Sequence, residues 1–202
     1  SLLRQRDVKR LLAYSSVEHM GILCLGVGFG APIALAGVLL HVLAHAAAKG
    51  NAFFAAGVLL RKFATKDLRT IRGGLDVLPW TGPLLLCAVL ALSALPPFGI
   101  FRSEFQIVAG GLGDGKTTFA AILVVLVTVA FLGMTVSFTR VLFVSPPRTP
   151  EVTVVTRGEP SAWMVAPMVV GLIALVVLGV HPPDALTHLL SQGVAELGGG
   201  GS

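Results

Sequence analysis

Apolar residues fill this chain in blocks too long and too closely spaced for the core of a soluble domain. The blocks cover residues 11–31 (passing Glu18 and His19), 32–60 (interrupted by Lys49), 77–101, 103–113, 117–139 and 160–180. Runs longer than about 18 residues predict helices that cross a bilayer. Polar connectors lie at 1–10, 61–76 and 140–160, with short turns predicted near 28–32 and 113–116. The stretch 77–113 is the difficult one, because it holds Pro79, Pro83, Pro96, Pro97 and Gly99. The apolar piece after Arg102 and Glu104 is about nine residues and rises about 14 Å, too little for a hydrocarbon core of about 30 Å.

Charge placement decides how that stretch is counted. If 77–113 makes one net crossing, broken near Pro96-Pro97, the connectors 1–10, 61–76 and 140–160 share one side. That side then holds Arg4, Arg6, Lys9, Arg10, Arg61, Lys62, Lys66, Arg69, Arg72, Arg140, Arg148 and Arg157. The other side holds Lys116 and an acidic C-terminal tail with Asp184 and Glu196, while Lys49 and Arg102 fall within membrane segments. The positive-inside rule favours this arrangement, and it puts Trp80 and Trp163 at one interface, as an aromatic belt requires. The expected fold is all-α: a polytopic transmembrane helix bundle of about five crossings with one broken helix, 77–113. Backbone freed by such a break is tolerated in a membrane only where protein or water satisfies it, so breaks mark ion and substrate sites.

Composition narrows the class further. The chain is 54% hydrophobic and 12% charged, where a soluble domain carries about a quarter charged residues. The net charge of +5 forms no basic stripe, and its residues cap apolar runs at headgroup depth, which excludes a nucleic-acid partner. Cys24 and Cys87 lie inside apolar runs and imply neither a disulfide framework nor a cluster site. The sequence Gly110 to Thr117 (GGLGDGKT) fits a phosphate-binding loop but joins two membrane segments, and such a loop needs a preceding strand. It is read as a chance match.

His41, His45 and Lys49 follow an i, i+4, i+8 spacing, so they share one face of the second helix about 6 Å apart along its axis. His45 and Lys49 fall near its middle, where a charge is costly unless paired or hydrated. Histidine passes a proton between its ring nitrogens near neutral pH, so this row predicts proton transfer. As a metal site the His41/His45 pair lacks a third ligand at suitable spacing, and Lys49 repels a cation. Glu104 lies just past the break and is either a terminal proton carrier or half of a local salt bridge with Arg102. Glu18 and His19 sit about two turns into the first helix, deep enough to need partners, with Asp7 and Lys9 at its mouth.

The string Asp7-Val-Lys-Arg-Leu-Leu-Ala-Tyr-Ser-Ser-Val-Glu-His-Met-Gly21 closely resembles a hallmark of the antiporter-like membrane subunits. These include the proton-pumping subunits of respiratory complex I, multi-subunit cation/proton antiporters and group 4 hydrogenases. His41-Val-Leu-Ala-His45-Ala-Ala-Ala-Lys49, Ile71-Arg-Gly-Gly74 and Leu95-Pro-Pro-Phe-Gly-Ile-Phe-Arg-Ser-Glu-Phe105 resemble its later landmarks in the right order. The resemblance covers about residues 5–145 and is strongest to component F of hydrogenase-4 and formate hydrogenlyase relatives. Gly50-Asn51 departs from the apolar continuation usual in relatives.

The resemblance implies a protein of about fourteen helices in two inverted repeats, of which this chain supplies roughly the tenth to the fourteenth. It implies His41, His45 and Lys49 as a central hydrated axis, Glu104 as the carrier near the break, and Asp7 and Lys9 as flanking charges. Glu18, His19 and Arg102 complete the candidate accessory set. An N-terminal portion is expected upstream, since the first residues read as a loop leaving an earlier helix. The expected organisation is 1–145 as the proton-translocating part, 146–197 as a loop and last transmembrane helix, and 198–202 as a flexible tail.

The expected function is a non-catalytic proton-translocating subunit of a redox-driven complex of the hydrogenase-4/formate hydrogenlyase or NADH:quinone oxidoreductase type. No cofactor is expected in this chain. Partner membrane subunits and a peripheral redox arm would carry Fe–S clusters and a [NiFe] or quinone site. The expected location is the cytoplasmic (inner) membrane of a prokaryote, with the three basic connectors cytoplasmic. The alternatives are a subunit of a cation/proton antiporter and a non-conducting structural remnant.

Overall fold

A computed structural model describes residues 7–65, 67, 71, 73–143, 156–159 and 161–199. Arg4, Arg6, Lys66, Arg69, Arg72, Arg148 and the tail residues 200–202 lie outside the described residues.

Helix α1 (Val8–Phe29) starts where the Asp7 carboxylate accepts the backbone N–H groups of Lys9 and Arg10, at 2.8 and 3.3 Å. It ends at Gly30, whose φ of +74° closes a left-handed cap that a side chain would strain. Helix α2 (Pro32–Phe63) follows at once, with Pro32 in the first turn, where its missing N–H costs nothing. At 32 residues it rises about 48 Å. Gly50-Asn51 leaves it unbroken, and the Asn51 side chain occupies the space opened by Gly171 of the seventh helix.

The region 77–113 is a broken helix, as the charge pattern required. A short α3 (Gly74–Val77) leads into α4 (Thr81–Leu92). Residues 93–98, with a cis Pro96-Pro97 peptide and Ala94 at φ +52°, interrupt the helix before α5 (Gly99–Gly113). At 12 and 15 residues, α4 and α5 rise about 18 and 22 Å, so neither spans alone and together they make one crossing. Helix α6 (Thr117–Phe143) is the most apolar of the long helices. Helices α1, α2 and α6 are each long and apolar enough to cross a membrane.

The C-terminal region differs from the sequence reading, which gave one helix over 160–180 followed by a tail. A 3-10 turn (Ala162–Met164) precedes α7 (Ala166–Val180), and the supposed tail is a further helix, α8 (Asp184–Gly199), bent 65° from α7. Pro182 and Pro183 account for the bend, since neither can donate into a continuing helix. Asp184, His188, Ser191, Gln192 and Glu196 interrupt the apolar pattern of α8, which hid it from a hydropathy reading.

Helix α2 is the axis of the bundle, packing against α1, α4, α5, α7 and α8. Its approach to α5 is close: a Cβ on Gly37 would lie 2.8 Å from the Ser103 carbonyl, and one on Gly110 would lie 2.6 Å from the Ala34 Cβ. The two ends of the bundle can be told apart by contacts. At one end Asp7 bridges Asp67, the Gly158 N–H donates to the Val77 carbonyl, and the Glu159 carboxylate accepts from the N–H groups of Trp80 and Thr81. At the other, Lys116 reaches the carbonyls of Gly28 and Phe29. Described residues of the three connectors, Asp7, Asp67 and Gly158–Glu159, therefore gather at one end. Trp80 and Trp163 are both largely exposed there, at 67% and 87%.

Candidate functional site

The polar groups of α2 do not stand alone. Ser15, Glu18 and His19 follow one another at i, i+3 and i+4 on α1, and that face meets the His41–His45–Lys49 face of α2. His19 and His41 are essentially fully buried, and His45, Lys49 and Glu104 are each less than a tenth exposed. The Lys49 ammonium donates to the Leu12 carbonyl and the Ser15 hydroxyl, and Ser15 in turn donates to Leu12 at 3.1 Å. Glu18 is near enough to Lys49 for a direct electrostatic attraction. A buried ammonium is thus held by two oxygens of α1, with the Glu18 carboxylate further along the same helix attracting it.

His19 sits at the junction. Its Nδ1 lies 3.0 Å from His41 Nε2 and 3.8 Å from Glu104 Oε1, and its ring centroid is 4.5 Å from that of His45. His41 Nδ1 lies 2.9 Å from Ser103 Oγ, and Ser103 donates its one proton to the Ile100 carbonyl at 2.7 Å. One self-consistent set of neutral tautomers follows from that donation. With its proton committed to Ile100, Ser103 accepts from the His41 Nδ1–H, so His41 Nε2 accepts from the His19 Nδ1–H. In that set His19 Nε2 carries the lone pair; neither it nor His45 Nδ1 makes a hydrogen bond of normal length, although the Leu92 backbone also acts on His19. A proton arriving on His19 Nε2 turns the ring into an imidazolium, which can release from Nδ1 towards Glu104. Glu104 borders a cavity of about 350 Å³ between the break and α6, lined also by Ser93, Phe101, Phe105 and Leu123.

Of the residues singled out in the sequence, His41, His45, Lys49 and Glu104 are brought together, with Glu18 and His19 between them. Asp7 is spent on capping α1, Lys9 is exposed, and neither reaches the cluster. The local salt bridge between Arg102 and Glu104 does not form. Arg102 instead points to the end of α7, donating to the carbonyls of Gly179 and Val180 at 3.4 and 3.3 Å. There α7 packs on the break so tightly that a Cβ on Gly179 would run into the Pro97 carbonyl oxygen. Ser15 and Ser103 are contributors that spacing alone did not single out. The metal argument also changes: the third imidazole missing from the spacing of α2 is supplied by α1, and His19, His41 and His45 each offer a nitrogen within 4.8 Å of the others. GGLGDGKT forms the last turn of α5 and the turn into α6, with no strand among the described residues before it.

Residues 1–132 match the family described as NADH:quinone oxidoreductase/Mrp antiporter, transmembrane. A hydrogenase-4 component F homolog from Methylacidiphilum infernorum is 37% identical over 125 residues, covering 62% of this chain and 26% of the relative. NADH-quinone oxidoreductase subunit N from Desulforudis audaxviator is 33% identical over 194 residues, covering 92% of this chain and 39% of the relative. The chain therefore spans roughly a quarter to two fifths of the curated relatives it matches. Among solved structures, a chain of respiratory complex I from Thermus thermophilus superposes with a TM-score of 0.79 at 27% identity, covering 98% of this chain and 41% of that one.

Proposed function

The chain belongs to the NADH:quinone oxidoreductase/Mrp antiporter transmembrane family, and on that premise we propose that it is part of a proton-translocating membrane subunit of a redox-driven complex. The observation that carries this reading is the buried row running from Lys49 and Glu18 through His45 and His19 to Glu104. Lys49 is the switchable charge at the head of the row, and the imidazoles are the carriers. Glu104, beside the broken helix and its cavity, exchanges the proton with the next compartment. His41 and Ser103 hold the tautomer of His19 so that it receives at Nε2 and releases at Nδ1.

On this reading the driving reaction belongs to partner subunits with Fe–S clusters and a [NiFe] or quinone site, carried on a peripheral arm. The end of the bundle that holds Asp7, Asp67 and Glu159 faces the cytoplasm of a prokaryotic inner membrane, on the side to which the charge pattern assigns the basic connectors.

The test is coupled proton flux in liposomes holding the full-length protein in its complex. Lys49→Ala should lower flux per electron transferred by at least about tenfold, since it removes the switchable charge, while protein level and assembly stay unchanged. Unaltered coupling in that variant would sink the reading. Flux that instead follows a Na⁺ or K⁺ gradient with no electron donor would place the chain among the antiporters.

A further inference from the structure

We propose that His19, His41 and His45 form a binding site for one divalent transition-metal cation of the zinc class, and that the bound ion closes the proton path. The blocking effect rests on the proposed proton path; the metal site does not.

Two imidazoles of α2 and one of α1 each offer a nitrogen within 4.8 Å of the others. In a tetrahedral site with Zn–N bonds of about 2.0–2.1 Å, ligand nitrogens stand about 3.3 Å apart, so the rings reach it by turning about their side-chain bonds. Two of the three have a nitrogen that makes no hydrogen bond of normal length: His19 at Nε2 and His45 at Nδ1. The third, His41, is held at Nδ1 by Ser103, the second contact that metal-bound histidines typically make, and a metal bond at its Nε2 would replace the hydrogen bond with His19. The Glu104 carboxylate, 3.8 Å from His19, is placed to be the fourth ligand.

The charged groups facing the cluster are Glu104 and Glu18 against Lys49. Glu104 stands 3.8 Å from His19 and Glu18 attracts Lys49, so carboxylates counter the repulsion that Lys49 alone would exert. Imidazole-rich donors with one carboxylate select zinc, cobalt or copper over magnesium or calcium. An ion there takes the lone pairs that would receive the travelling proton, and its bond to His41 Nε2 breaks the hydrogen bond from His19, whose Nδ1 keeps its proton.

The experiment uses the full-length subunit, purified in detergent, stripped with a chelator and titrated with Co²⁺. The expected result is one Co²⁺ per chain with the absorption of a tetrahedral site, displaced by Zn²⁺. His19→Gln and His45→Gln should each weaken uptake by at least about tenfold. Either variant serves if the other fails to fold, folding being checked by thermal melting. The proposal is overturned if a folded variant keeps the wild-type absorption, or if wild-type protein shows none at millimolar Co²⁺. In liposomes, Zn²⁺ at site-filling concentrations should stop coupled flux, and undiminished flux with the site loaded would refute the block. Normal pumping by Lys49→Ala alongside intact Co²⁺ binding would remove the proton path and leave the metal site standing.

Discussion

Helices α2 and α6 are the two longest in the chain, with 32 and 27 residues, and their relation to their surroundings is opposite. In the most apolar stretch of α2, 56% of residues are buried inside the bundle, against 22% for α6. The more hydrophobic helix is the outer one. Val124, Val125, Leu126, Val129 and Leu132 on α6 are each about half exposed. The buried face of α2 is instead made of Ala44, Ala48, Ala52, Ala55 and Ala56 beside His41, His45 and Lys49. Small side chains bring neighbouring backbones close, and closeness lets α1 and α5 supply partners to ionisable groups. Within a membrane protein, high hydrophobicity marks the lipid neighbour, and small residues interspersed with polar ones mark the working interior.

Substitutions that exchange the two environments test this contrast. Val129→Lys, near the middle of α6, should cost about 3 kcal/mol of insertion free energy, read as lost full-length protein in the membrane, although the native Lys49 at comparable depth is tolerated. Accumulation at wild-type levels would mean that α6 faces protein or water. Gly110→Val forces a side chain into Ala34 of α2. It should destabilise the bundle by about 1–3 kcal/mol, seen as a lower melting temperature in detergent, whereas Gly21→Ala on α1, with open space around it, should leave melting unchanged or slightly raised. The smallest effect belongs to Val125→Ala on the outer face of α6, within about 0.5 kcal/mol of wild type. A larger loss there would show that this face is packed.

Much of this was legible in the sequence because the signals were local. Apolar run length gave the helices. Prolines and the distribution of Lys and Arg gave the break in 77–113, and i, i+4, i+8 spacing put His41, His45 and Lys49 on one face. The central position of His19 was not legible, since it depends on the register of α1 against α2, which packing of small residues sets. Its i, i+3, i+4 relation to Ser15 and Glu18 was the signal available. Arg102 misled for the opposite reason: Glu104 lay two residues away, while its actual partners are the carbonyls of Gly179 and Val180, far along the chain. Helix α8 stayed hidden because its polar residues, exposed along its length, read as a tail.

The seat of Gly179 against the Pro97 carbonyl, with Arg102 reaching over it, gives the chain a mechanical joint. The half-helix that carries Glu104 begins at Gly99, two residues beyond Pro97, so its root and the end of α7 are seated on each other. Helix α8 extends from that joint at 65° like the arm of a lever. A neighbouring subunit pressing on α8 would bear on the root of α5, and a tilt of α5 would be felt along α8.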